Sequence, residues 1–292
     1  MSQSPTDRPA SREVPDLPAG LGSSDPDAPV QYTSADVAGA AEVLRRAEDG
    51  EAELLLSLTD EQIAGLEGYE RRQFTAAPWL DEHAEQRSVA AHVGLRALIA
   101  AGRVRSVIDA ESGQHQWRAD PEIAGCLVLR RTASGFTTAE RTVQTEQGPQ
   151  VHRLHYYVHA AGVLEEEVTA LGIHRFTPLR SQQVGARLVS LVDPAGVAAG
   201  SGTPVRVRAS ALGASDLSQQ LALTRALTVL TMVRTADGTV QQASVYATPT
   251  HVLTMEALDP GAEDPELEFR TVDATDLHAL ATVVVAGRGE AG

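Results

Sequence analysis

The apolar residues of this chain change period at Gly102-Arg103, and that switch does most to limit what it can fold into. Before it they recur every three or four residues, as on one face of a helix. After it they alternate, or form short runs between turn residues, as in strands. Such a chain is expected to be α+β: N-terminal helices followed by two antiparallel sheet/helix units.

Residues 1–30 hold six prolines and five acids but almost no large apolar side chains, so residues 1–32 are expected to be a disordered tail. Ser34 is the expected N-cap of a helix with Val37, Ala40, Ala41, Leu44 and Ala47 on one face, ending near Gly50. A second helical stretch is expected over Glu51 to Leu58. Thr59-Asp60-Glu61-Gln62 has the form of a capping box and opens a helix that carries Ile63 and Leu66 and stops before Pro78. Asp81 caps the next helix, about 82–101, which is expected to bury Val89, Val93, Ala97 and Ala100 and to end at Gly102.

Beyond the switch, Val104 to Ile108 and His115 to Trp117 flank a turn at Glu111-Ser112-Gly113 and predict a hairpin. Asp120-Pro121 starts a helix containing Ile123, Leu127 and Leu129. Phe136 to Thr145, Val151 to His159 and Val163 to Thr169 read as a meander. A three-residue loop over Ala160 to Gly162 would pair His155 with Glu167. A strand over 173–178 and a helix from Arg180 to Val192 complete this unit, and the Gly- and Pro-rich residues 194–204 read as a linker.

The layout then recurs. Thr224 to Thr235 and Thr239 to Ala247 flank Asp237-Gly238, a strong hairpin signal. A strand at His251 to Met255, another at Leu267 to Thr271 and a helix from about Asp273 follow, so that Phe269 lines up with Phe176. The expected organisation is a tail (1–32), a helical region with the first α+β unit (33–193), a linker (194–204), a second α+β unit (205–286) and a short disordered tail (287–292). A pseudo-twofold protein with one sheet per half would have this layout.

Composition then excludes function classes. All 24 basic residues are arginine, so a Walker lysine, a Schiff-base lysine and a lysine general base are ruled out. The single cysteine, Cys126, rules out an internal disulfide and multi-cysteine metal sites; its apolar neighbours predict a buried, inert thiol. A formal charge of −15 argues against nonspecific nucleic-acid binding. No apolar run reaches the roughly 18 to 20 residues of a membrane span, and with no signal-peptide pattern at the N-terminus the expected location is cytoplasmic.

Two constellations remain. His152, His155 and His159 face the run Glu165 to Glu167, but two strand histidines four residues apart stand roughly 13 Å apart along the strand. A polar sheet face with a His–Glu pair is therefore favoured over a metal site. No metal, cofactor or catalytic set is expected. The second constellation is the 82–101 helix and the following hairpin, which have the layout of a recognition helix and wing, with Arg87, Arg96, Arg103, Arg105 and Arg118 clustered there. A winged-helix DNA-binding regulator with a C-terminal sensor domain is the alternative reading.

Leu95-x-x-Leu98-x-x-x-Gly102, the helix at Asp120-Pro121-Glu122-Ile123, the two hairpin–strand–helix units and the closing segment Phe269 to Val285 together carry a family likeness. Over about residues 80–285 the chain resembles the EspG family of actinobacterial type VII (ESX) secretion-associated proteins. That resemblance implies a cytosolic, non-enzymatic chaperone that binds a helical secretion substrate, in the mycobacterial case a PE–PPE pair, and keeps its aggregation-prone tip covered. It implies a partner received on a sheet face and adjoining loops, for which Phe136, Tyr157, Val233 and Tyr246 are candidate exposed anchors. A homodimer formed through the sheets is a third reading.

Overall fold

A computed structural model of the chain describes residues 30–48, 50–71, 75–108, 113 and 115–286. The expected tails, apart from residues 30–32, and the turn at 111–112 lie outside the described residues. The first half runs α1 (Ser34–Arg45), β1 (Leu56–Thr59), α2 (Asp60–Glu67), α3 (Pro78–Glu82), α4 (Arg87–Ala100), β2 (Val104–Ile108), β3 (His115–Ala119) and α5 (Pro121–Thr132). It continues through the meander β4 (Gly135–Thr145), β5 (Gly148–His159), β6 (Gly162–Val168) and β7 (Ile173–Leu179) to α6 (Ser181–Val192). The second half consists of β8 (Val205–Arg208), α7 (Asp216–Leu221), β9 (Ala226–Arg234), β10 (Val240–Ala247), β11 (Val252–Ala257), β12 (Glu266–Val272) and α8 (Ala274–Ala286).

The α+β class is as expected, but the two meanders do not make two sheets. β4 pairs antiparallel with β9, and one ten-stranded sheet results, in the order β1-β7-β6-β5-β4-β9-β10-β11-β12-β8. That order reads the same from either end: an edge strand, then a four-strand meander running inward. The Ala139–Leu230 pair lies at its centre. α6 and α8 pack against each other across the centre, close enough that a Cβ on Gly185 would lie 2.8 Å from the His278 ring. They cover one face of the sheet over a core that includes Ala139, Tyr156, Val184, Leu188, Leu230, Val245 and Leu277. On the other face, α1, α2, α4 and α5 form a helical cap over the first half, centred on Leu44, Leu58, Leu95, Ile123, Leu129, Tyr157 and Phe176.

Several local expectations change. The stretch expected to be helical before Thr59 contains β1, because Leu56 and Leu58 alternate into the core and pair with Phe176 and His174 of the sheet edge. The N-cap of α1 is Thr33, in a capping box with Asp36. Pro78 opens α3 at its first turn instead of ending a helix, which shortens the expected 82–101 helix to α4. The buried face of α4 is Ala91, Gly94, Leu95 and Leu98, whereas Val89 and Val93 are exposed. The sequence of α4 is apolar on every side, so close approach decides its orientation. A Cβ on Gly94 would sit 2.6 Å from the backbone of Glu61 on α2, and a Cβ on Gly125 of α5 would sit 2.6 Å from Gly39 on α1. Two glycine contacts thus let the cap helices cross in pairs.

Candidate functional site

The meander register decides which polar groups meet. A two-residue turn pairs His159 with Gly162, one step from the expected register, so His155 faces Glu166 and Tyr157 faces Leu164. A one-residue slip exchanges faces along a whole strand. Glu166 therefore lies on the cap side with His155, Tyr157 and His174, and Glu167 does not face His155.

Beneath the cap these residues form a closed ionic cluster. Asp60, at the start of α2, accepts backbone N–H bonds from Trp79 (2.8 Å) and Leu80 (3.2 Å) on one carboxylate oxygen. Its other oxygen lies 2.6 Å from Nε2 of His174, whose Nδ1 lies 2.5 Å from Glu166. With a carboxylate at each nitrogen, the ring donates from both and carries a positive charge. Burial works against that charge, but the bonds to Asp60 and Glu166 outweigh it and raise the pKa of His174. Glu166 also accepts a short bond from the Tyr157 hydroxyl and one from Arg130 Nε at 3.1 Å. Burial would raise the Glu166 carboxyl, but the Arg130 charge and the His174 bond hold it well below the usual carboxylate range.

Arg130 continues the cluster to Thr75 (2.8 Å) and to Glu67 (3.4 Å), and Arg131 grips Glu67 with two bonds of 2.9 Å. His155 stands beside the cluster, stacked on Phe136 with its ring nitrogens unpaired among the described residues. Burial lowers its pKa to about 4, so it is neutral. Asp60, Arg130, Glu166 and His174 are each no more than 2% exposed, and they ionically fasten α2 and α5 to β5, β6 and β7. His152 points from the opposite sheet face, and His159 is held by the Leu129 carbonyl. Among the described residues no three His, Cys, Asp or Glu side chains converge as metal ligands.

The second half repeats the strands but not the cluster. Stepping outward from the central pair, the positions of Thr138, His155, Glu166 and Phe176 in the first half correspond to Val229, Ser244, Met255 and Phe269 in the second. Two rungs along, Phe136 and Tyr157 correspond to Leu227 and Tyr246. All four candidate anchors, Phe136, Tyr157, Val233 and Tyr246, lie on this one face, yet their surroundings differ. Tyr157 is buried beneath the cap with its hydroxyl on Glu166, and so is no exposed anchor. Phe136, Val233 and Tyr246 are half-buried, as are Leu227, Val229 and Met255. A half-exposed apolar floor of Leu227, Val229, Val233, Tyr246 and Met255 therefore begins at the cap boundary and runs over β9 to β11, beside Leu253, which is buried on the same face.

The arginines proposed for DNA binding do not form one basic surface. Arg87 lies 3.8 Å from Asp81. Arg103 binds Asp120 (2.8 Å) and Glu122 (3.3 Å), and Arg105 binds Asp120 (3.3 Å). Asp120 thus holds these arginines where an N-cap bond of α5 was expected. Arg96 is exposed on α4 beside Val93 and Ala97, and Arg118 is half-buried.

Of the central residues of the ionic cluster, Glu166 stands in the glutamate run and Asp60 in the capping box that the sequence displays, whereas Arg130 and His174 belong to neither constellation. The available signal for Arg130 was its place directly after Leu127-Val128-Leu129, at the end of an apolar helical run; Glu166 is the middle of three consecutive glutamates, and only the strand register tells it from Glu165 and Glu167.

No protein-family model matches the chain, and no curated protein matches it in sequence. Among solved structures, it is similar to the Mycobacterium tuberculosis type VII secretion system chaperone EspG5, solved in complex with a PE25-PPE41 dimer. The two share 9% identity over 88% of this chain and 96% of that one, with a TM-score of 0.46. Among the described residues no helix is long and apolar enough to cross a membrane.

Proposed function

We propose that this chain is a non-enzymatic, chaperone-like protein of the cytoplasm that binds a helical protein partner on the half-exposed apolar floor of β9 to β11. The observation that carries this reading is the contrast between Tyr157 and Tyr246. They occupy corresponding positions in the repeated meander, and helices bury one while the other stays half-exposed. The first half shows how such a floor is covered: a helical pair lays its apolar stripes across the strands. A partner helix bearing apolar residues at three- and four-residue intervals suits the second half in the same way. The corresponding positions hold Ser244 in place of the neutral His155 and Met255 in place of the charged Glu166, which leaves that floor without the ionic group that a partner would have to desolvate.

The test compares the wild-type protein with Val233→Asp and Tyr246→Asp, using the partner recovered from native cells and identified by mass spectrometry. The reading expects a helical protein bound to the wild type and lost from both variants, with their circular dichroism unchanged. Undiminished binding by the variants, or a wild type that recovers only itself, counts against it.

A further inference from the structure

A separate cavity lies within the helical cap, where the chain entering α1, the end of α2, β3 and α5 converge. It measures about 170 Å³. A cavity of roughly 150 Å³ is large enough to take benzene. Tyr32, Leu66, Trp117 and Leu127 supply apolar and aromatic wall, and Arg118 and the Glu67-bound Arg131 also line it. The wall as a whole carries three guanidiniums and two carboxylates. Both carboxylates are engaged: Asp36 in the cap of α1 with Thr33, and Glu67 by Arg130 and Arg131.

Two wall residues also carry polar atoms without a partner among the described residues, the Tyr32 hydroxyl and the Trp117 indole N–H. Enclosed tyrosine and tryptophan donors ordinarily find an acceptor, and leaving one unmade costs about 1 to 3 kcal/mol. An indole N–H can only donate, so any partner for it is an acceptor. Burial raises the Tyr32 phenol pKa, which keeps it protonated and able to donate as well.

We propose that this cavity binds a small organic anion with a flat apolar body, an aromatic or short branched carboxylate. The ring would pack between Leu66 and Leu127, and the carboxylate would accept from Trp117 and Tyr32 beside Arg118.

The probe is sodium benzoate titrated into the full chain, read by the indole N–H resonance of Trp117 in ¹⁵N spectra. The other indole, Trp79, is assigned with Trp79→Phe. The expected result is a saturable shift at Trp117 and none at Trp79. Benzyl alcohol, of similar shape but neutral, should bind at least tenfold more weakly. Arg118→Gln should weaken benzoate about tenfold with little effect on benzyl alcohol, and Tyr32→Phe should weaken benzoate less. No saturable shift at Trp117 up to about 10 mM benzoate overturns the proposal. Equal shifts at the two indoles, or equal affinity for benzoate and benzyl alcohol, overturn it as well.

Discussion

Replacing Arg130 by methionine tests whether the cluster under the cap is a set of mutually dependent charges. The new side chain fills similar space but removes the bonds to Glu166, Thr75 and Glu67. Removing one member of a buried ion pair costs about 3 to 5 kcal/mol, because the remaining charge stays buried. Here Glu67 keeps both bonds to Arg131, and Glu166 keeps His174 and Tyr157, so the loss belongs at the lower end, about 3 kcal/mol. For a chain of this size that lowers the melting temperature by roughly 6 to 12 °C. Glu166→Gln in the Arg130→Met background removes the uncompensated charge and should recover part of the loss, a coupling of about 1 to 3 kcal/mol. Calorimetry on the four proteins of the cycle measures both quantities. A single-mutant shift below about 2 °C, or strictly additive effects, would refute the reasoning.

Four further outcomes are expected. The two buried histidines act on stability in opposite pH ranges. His174, with its pKa raised by folding, stabilises fully below its unfolded value and loses that contribution as pH rises through the raised value; urea midpoints on the alkaline side should therefore be flatter for His174→Gln than for wild type. His155, held neutral with a pKa of about 4, contributes above its unfolded value and loses the contribution as pH falls toward 4, so His155→Phe should soften the acid transition. Gly94→Ala drives a Cβ into the Glu61 backbone and should cost about 1 to 3 kcal/mol by thermal denaturation, whereas the exposed Val93→Ala should cost little. Cys126 is fully buried, and burial pushes its thiol pKa up; it should resist thiol reagents in the native protein and react at once in denaturant.

Local chemistry made much of the fold legible. Asp237-Gly238 placed the β9–β10 hairpin, with Gly238 at φ 67°, and Thr59 to Gln62 forms the capping box it spells. The repeat was visible in the Phe176 and Phe269 strands, which occupy corresponding places beside β1 and β8. What the sequence left hidden depended on contacts between distant segments. Nothing within either meander says that β4 will pair with β9, since both are strands with two usable edges. The face of α4 was misread because valines and alanines ring that helix, and only the glycine at 94 lets α2 approach. The cluster was hidden for a related reason: a turn one residue shorter than expected moves Glu166 to the cap side. The segregated charges of the sequence, acids over 48–67 and arginines over 87–153, then partly close on each other through Glu67, Arg130 and Arg131. The four candidate anchors share one sheet face, as their strand positions imply, but only packing distinguishes the covered Tyr157 from the half-exposed Tyr246.

The central claim, a helical partner on the floor of β9 to β11, is tested most directly by photo-crosslinking in native cells. A benzophenone amino acid is placed at Val233 on the floor, and in a control protein at Leu171, exposed in the turn between β6 and β7. The account predicts an adduct with a helical protein from position 233 and none from position 171. Adducts of equal yield from both positions, an adduct only with a second copy of the chain, or no adduct at 233 would contradict it.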